Sequence, residues 1–224
     1  MSKMNPKQPV APSERRSFLA RFHTGAASIA ALALGATAMA QTKSAAPAPF
    51  EPARHDKDDW MDQLPGKHRM VFDTTNNPRF GDALLFANNF LTANRTDYGL
   101  QNSDIAIIVV ARHTSTGFGF NDAMWAKYGT PLALASGLDS APKTNPRSAG
   151  GTGVEALSKL GIQFAICAMA TRRIAGQLAQ ATGGNTDTIN AELIANLVPN
   201  GRMVSAGIVA INRAQERGYT LVTP

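Results

Sequence analysis

Short apolar runs with strand character recur along the chain from residue 68 to the C-terminus. The clearest is residues 105–111, an unbroken run of Ile, Val and Ala that is typical of a strand covered by helices on both faces. Shorter runs predict four further strands, at residues 68–73, 162–167, 202–204 and 219–222.

Helical patterns alternate with these strands. Residues 79–93 repeat apolar side chains at spacings of three and four, which predicts a helix with a broad apolar face. A loop rich in Pro, Gly and Ser is predicted from about residue 130 to 151. The other predicted helices lie at residues 121–129, 154–160, 168–181, 186–197 and 207–217.

This alternation predicts a single α/β, flavodoxin-like domain over residues 67–224. We expect about five mostly parallel strands, with helices on both faces of the sheet. In such sheets, ligands bind at the carboxyl ends of the strands, near the point where the strand order reverses. Side chains that directly follow a strand are therefore the first candidates for function.

Residues 1–40 are predicted to be an export signal and not part of the domain. A basic stretch with Arg15 and Arg16 precedes a mildly apolar run at residues 25–34, and small residues at 38–40 form a cleavage site. The arginine pair, followed by Phe18, resembles a twin-arginine signal. The resemblance implies that the twin-arginine export machinery is a partner of the chain.

Export implies a periplasmic location, with cleavage near Ala40. The apolar run falls short of the ~20 strongly apolar residues of a bilayer span, so we expect no stable membrane anchor after cleavage. Residues 41–66 are rich in Pro, Ala and charge and predict a flexible tether. Trp60 and Leu64 are expected to dock the end of this tether on the domain.

Removing the signal changes the charge balance. The full chain has a net charge of +6, but residues 1–40 contain five Lys/Arg residues and one Glu. The remaining 17 basic and 15 acidic residues give only +2 and form no basic run, so nucleic acid is not an expected partner. A single cysteine cannot form a disulfide within the chain, so stability has to come from the apolar core.

Cys167, the only cysteine, ends the predicted third strand and begins the next helix. There the helix dipole and free backbone N–H groups favour a thiolate, and Arg172 and Arg173 add positive charge if they face back. Apolar neighbours such as Phe164 and Ile166 favour a neutral, buried thiol instead. Position alone leaves a reactive thiol and an inert core cysteine equally open.

Two further candidates follow the predicted second strand. His113 can accept the thiol proton or hold an anion, and Arg112 can bind a carboxylate or another oxyanion. Both are expected on the same sheet edge as Cys167, so these three residues form the predicted catalytic set. The alternative for His113 is an ordinary loop histidine bonded to backbone.

Hydroxyl and amide side chains provide predicted ligand-binding residues on the same edge. Thr74, Thr75 and Asn76 lead into a helix N-terminus that can hold a phosphate, and Thr114 and Ser115 line the next loop. The alternative for the first group is capping and turn hydrogen bonding. No metal site is predicted, because the histidines after the signal are too scattered, and no cofactor is evident.

Three segments carry a family resemblance. They are the strand-end cysteine in FAIC (residues 164–167), the run LVPNG (residues 197–201) and the ending from Ser205 to Pro224. With them, the region from about residue 68 to 224 resembles the DsrE/DsrF-like family of small α/β proteins linked to sulfur transfer. Residues 112–129 resemble an exported subgroup of that family.

The resemblance implies a homotrimer or homohexamer and a persulfide on Cys167. The leading hypothesis is an exported protein that binds or relays a small sulfur species, with Arg112 and His113 stabilising its anionic form. It would be a carrier and not a multiple-turnover enzyme. The alternatives are a non-catalytic oligomeric module that holds a small anionic metabolite at this edge, with the thiol buried, and a purely structural oligomer.

Overall fold

The computed structural model describes residues 50–224, so the predicted signal and residues 41–49 of the predicted tether lie outside the described residues. The sheet contains β1 (His68–Thr74), β2 (Ile105–Ala111), β3 (Gln163–Cys167), β4 (Gly201–Val204) and β5 (Thr220–Val222). All five strands are parallel, in the order β4-β3-β2-β1-β5. The predicted single α/β domain of flavodoxin-like type is confirmed.

Seven α-helices are found among the described residues. They are α1 (Trp60–Gln63), α2 (Asn77–Tyr98), α3 (Asp122–Ala135), α4 (Val154–Lys159), α5 (Ala168–Thr182), α6 (Thr186–Ala195) and α7 (Gly207–Gln215). Turns of 3-10 helix occupy Asp56–Asp58, Asn102–Asp104 and His113–Gly119.

The helix predicted at residues 121–129 is longer than expected. The backbone kinks at Gly129, with φ 36° and ψ −113°, and the helix then resumes to Ala135. Pro131 lies in the first turn of the resumed segment, where its missing N–H leaves no hydrogen bond unmade. The resumed segment buries Leu132 and Ala133, and the predicted loop therefore begins later than residue 130.

The strand order explains how the helices are distributed. From β1 to β4, each new strand is added on the same side of the previous one. Right-handed crossovers therefore place α2–α6 on one face of the sheet, which we call the first face. The connection from β4 back to β5 runs the opposite way and places α7 on the other, second face. The core clusters follow this division. Phe72, Ile107 and Phe164 pack beneath α2–α6, whereas their strand neighbours Val71 and Ala165 pack beneath α7. Helices on both faces were predicted, and this is confirmed.

The second face is also covered by residues 50–64, which we call the strap. Trp60 and Met61 are buried against this face and Leu64 packs beside them, as predicted for Trp60 and Leu64. The Tyr219 hydroxyl donates a hydrogen bond of 2.8 Å to the carbonyl of Met61. The fully buried Arg217 side chain donates from Nε to the Asp62 carboxylate at 2.9 Å. The strap is thus held on the second face by apolar packing together with these two hydrogen bonds.

Over residues 50–224, no helix combines the length and the apolar character that crossing a bilayer requires.

Candidate functional site

The register of the sheet brings two of the candidate side chains, Cys167 and Arg112, to the same edge. Cys167 is paired with Val204 on β4, and Ala111 on β2 is paired with Ile166, so Arg112 follows at the level of Cys167. Side chains alternate along a strand, and Ala165 faces the second face. Cys167 therefore points to the second face, at the carboxyl edge of the sheet, where α7 begins.

Cys167 is the N-cap residue of α5. Its Sγ accepts a hydrogen bond from the backbone N–H of Ala170 at 3.5 Å. The side chain of Thr171 donates to the Cys167 carbonyl at 2.9 Å and fixes this turn. Only 6% of Cys167 is exposed, and it packs with Ala170 and Ala206, the N-cap residue of α7. The thiol thus lies between two helix N-termini, with a small opening to solvent.

Arg112 is held by a carboxylate that sequence reasoning missed. Its Nε and Nη2 donate to the two oxygens of Asp73 at 2.7 and 2.8 Å, a bidentate pair. The Arg112 side chain is 29% exposed and that of Asp73 only 11%. Asp73 is the one acidic residue in β1 and directly follows the apolar residues 70–72, and that position was the available signal.

This pair raises the pKa of Arg112. The main cause is the hydrogen bonding to Asp73, which outweighs the opposing effect of partial burial. The negative charge of Asp73 adds a smaller contribution in the same direction. Arg112 is therefore a permanently charged guanidinium at the sheet edge that also carries Cys167.

The start of α7 lies directly on Arg112. A Cβ placed on Gly207 would be 2.6 Å from Arg112 Cβ and 3.0 Å from its Cδ, distances that real Cβ atoms hardly ever show. Glycine at this position is what allows the helix to approach so closely. The approach confines the aliphatic part of Arg112 between α7 and the sheet.

His113 has an unusual backbone conformation and an exposed side chain. Its φ of 58° lies in the left-handed region, which costs a residue other than glycine about 1–2 kcal/mol. The side chain is exposed, and within residues 50–224 its imidazole makes no hydrogen bond. The His113 carbonyl accepts a hydrogen bond of 3.3 Å from Arg173 Nη2. A proton-accepting role for His113 stays a prediction.

The two arginines that follow Cys167 point in different directions. Arg173 reaches back over the carboxyl edge to His113, as the sequence suggested. Arg172 instead pairs with Asp187 on α6, in an exposed contact. Of the two, only Arg173 adds positive charge to the edge that carries Cys167.

The predicted hydroxyl ligands are largely engaged inside the protein. Thr74 and Ser115 are fully buried, and the Thr74 hydroxyl donates to the Val110 carbonyl at 2.7 Å. Ser115 Oγ donates to the Thr74 carbonyl at 2.9 Å. Both hydroxyls join the ends of β1 and β2 in this structure, and a binding role for Thr74 and Ser115 stays a prediction.

The remaining predicted ligand residues also make local contacts. The Thr114 hydroxyl donates to the Thr75 carbonyl at 2.9 Å. Asn76 is the N-cap residue of α2, and its Oδ1 accepts from the Arg79 N–H at 3.0 Å. For Asn76 the structure thus agrees with the alternative, helix capping.

No cluster of three or more His, Cys, Asp or Glu side chains suited to a metal ion occurs within the described part of the chain. No family model and no curated protein matches the sequence. Among solved structures, the chain is similar to a protein of unknown function from Methanobacterium thermoautotrophicum. The two share 19% identity over 70% of this chain and 100% of that chain, with a TM-score of 0.38.

Proposed function

We propose that this chain is an exported, DsrE-like carrier of sulfane sulfur, in which Cys167 holds the sulfur as a persulfide. The observation that carries the proposal is the position of the thiol: Cys167 Sγ lies at the N-terminus of α5, at the same sheet edge as Arg112. Backbone N–H groups and a fixed cation both stabilise negative charge on sulfur. The resemblance of residues 68–224 to the DsrE/DsrF-like family supports the same role.

Loading is a thiol–polysulfide exchange. The Cys167 thiolate attacks the terminal sulfur of an inorganic polysulfide, and a new S–S bond forms at Sγ. The S–S bond inside the polysulfide breaks, and its electron pair leaves with the shortened polysulfide anion. The thiol proton goes to solvent or to His113. No net oxidant is needed, because the transferred sulfur already has the oxidation state that it keeps in the persulfide.

The surroundings of the thiol favour a carrier over a multiple-turnover enzyme. With 6% of Cys167 exposed, a small linear donor reaches the sulfur more readily than a folded protein does. Arg112 already donates two hydrogen bonds to Asp73, through Nε and Nη2. It therefore offers a bound sulfur species its positive charge and not a second bidentate contact. The chain has a single cysteine, so no second thiol within it can take the sulfur from Cys167.

Export and assembly belong to the same proposal. Met169 and Ile208, in the first turns of α5 and α7, are 71% and 60% exposed. Apolar side chains so placed would be covered in the homotrimer or homohexamer that the resemblance implies. The twin-arginine signal in residues 1–40 would deliver the protein to the periplasm.

The test is sulfane-sulfur loading of the purified protein, measured as thiocyanate released by cyanide after incubation with polysulfide. We expect about one releasable sulfur per chain, and none in Cys167→Ser. Serine is a good N-cap residue, so this variant keeps the start of α5. Equal loading of the wild type and Cys167→Ser would refute the proposal.

A second candidate is a non-catalytic module that binds a small anionic metabolite at the same edge. It is favoured by the burial of Cys167 among Ala170 and Ala206. Under this alternative, a thiol reagent labels Cys167 only after unfolding, whereas the carrier is labelled in its native state. The two functions are therefore distinguished by one labelling experiment.

A further inference from the structure

The strap is attached to the second face at few points. None of residues 50–58 is buried, and Phe50 is 86% exposed. Trp60 and Met61 provide its buried side chains, with Leu64 packed beside them. A segment with so few buried apolar contacts belongs to the parts of a fold that open locally, before the core does.

Two buried hydrogen-bond donors beneath the strap have no partner. Within residues 50–224, the buried side-chain N and O atoms that make no hydrogen bond are Arg217 Nη2 and Arg213 Nε, both on or just after α7. Each lies opposite a carboxylate of the strap but beyond hydrogen-bonding distance. Arg217 Nη2 is 3.6 Å from Asp59 Oδ1, and Arg213 Nε is 3.8 Å from Asp58 Oδ2. A buried donor without a partner raises the free energy of the docked state, and water satisfies it when the strap lifts.

The charge of Arg217 opposes docking in the same way. Its side chain is fully buried, whereas that of Asp62, which accepts from Arg217 Nε at 2.9 Å, is 42% exposed. Desolvation of a buried guanidinium outweighs its attraction to a carboxylate unless its other donors are also satisfied. Asp62 does not depend on Arg217 for a counter-ion, because Arg54 lies 3.6 Å and Arg69 4.0 Å from its carboxylate.

We propose that the strap is a cover that opens and closes while the rest of the domain stays folded. Burial of Trp60 and Met61 favours the closed state, and burial of the Arg217 guanidinium favours the open one. Opening hydrates Arg217 and bares Val204 and Ala210, which lie opposite residues 54–58. It also turns residues 50–64 into a linker, which at full extension adds about 50 Å to the reach between the domain and residue 49. This device does not involve Cys167 and goes beyond the proposed function.

The experiment measures how fast an aromatic disulfide reagent labels an introduced thiol in the folded full chain, in a Cys167→Ser background. Met61→Cys places the thiol at a strap position that is 0% exposed. Ala87→Cys, at a 0% exposed position of α2, is the reference for unfolding of the whole domain. With each rate divided by that of the unfolded chain, we expect Met61→Cys to react about a hundredfold faster than Ala87→Cys. Equal rates would mean that the strap opens only when the domain unfolds, and would overturn the proposal.

Variants of the two partners of one ion pair, each combined with Met61→Cys, should have opposite effects. Arg217→Met removes the buried charge while Asp62 stays hydrated, so it should slow labelling about tenfold. Asp62→Asn leaves the buried Arg217 without its bonded carboxylate, so it should speed labelling about tenfold. An ion pair that only held the strap closed would give faster labelling in both variants.

Arg172→Met is the matched control, because it makes the same change at an exposed arginine that pairs with Asp187 and not with the strap. It should leave the labelling of Met61→Cys unchanged. Labelling that is unchanged or faster in Arg217→Met, or slowed equally by Arg172→Met, would overturn the proposal.

Discussion

The pair of Arg112 with Asp73 should couple the ends of β1 and β2, and Asp73→Asn tests this. The amide keeps the shape of the carboxylate but removes its charge, and it leaves Arg112, whose side chain is 29% exposed, without its counter-ion. Exposed pairs contribute about 0–1 kcal/mol, and breaking a buried pair costs about 3–5 kcal/mol. With exposures of 29% and 11%, this pair lies between these cases, and we expect a loss of about 2 kcal/mol.

The assay is urea unfolding at pH 7 followed by tryptophan fluorescence, because both Trp60 and Trp125 are buried in the fold. Asp73→Asn, Arg112→Gln and the double variant form a cycle, with an expected coupling of about 1–2 kcal/mol. Asp187→Asn, which removes the acidic partner of the exposed Arg172 pair, is the control and should change stability by less than about 0.5 kcal/mol. Additive single effects, or an equal loss in Asp187→Asn, would refute the reasoning.

Three other predictions concern the same face of the sheet, each measured by urea unfolding. Tyr219→Phe should cost about 1 kcal/mol, because a buried carbonyl of the strap loses its donor. Burial raises the pKa of Tyr219 from 10.0 to about 12, so the folded protein keeps a proton that the unfolded chain releases. Stability should therefore fall more steeply between about pH 10 and 12 in the wild type than in Tyr219→Phe, in which Tyr128 still has a raised pKa. Gly207→Ala should cost about 1–3 kcal/mol, since the added methyl group meets Arg112; no loss would contradict the close approach. Trp60→Ala should cost about 3 kcal/mol, whereas Phe50→Ala, at an 86% exposed position, should cost nothing measurable; equal effects would argue against docking of the strap.

The sequence predicted the bounds of a helix or strand best where one local feature determines them. The run at residues 105–111 predicts β2 with its observed bounds, because an unbroken β-branched segment has little alternative to a buried strand. The end of β3 and the start of α5 at Cys167 were also predicted at the observed position. By contrast, the continuation of α3 past Gly129 depends on burial of Leu132, a tertiary contact that local pattern does not reveal.

The site was harder to predict because it depends on pairing across strands. Cys167 and Arg112 were recognised from their positions after strands, but Asp73 matters only because the register brings it beside Arg112. Thr74 and Ser115 have hydroxyl groups of the kind that bind ligands, but in the structure these hydroxyls donate hydrogen bonds to backbone carbonyls at the ends of β1 and β2. The presence of a polar residue in a loop does not reveal whether its side chain bonds within the protein or is free to bind a ligand.

The central claim is that Cys167 accepts sulfur in the folded protein, and intact-mass spectrometry before and after incubation with polysulfide tests it most directly. We expect a gain of one sulfur mass that is lost on reduction and absent in Cys167→Ser. An unchanged mass for the folded protein, with the thiol modified only after unfolding, would contradict the account and identify Cys167 as a packing residue.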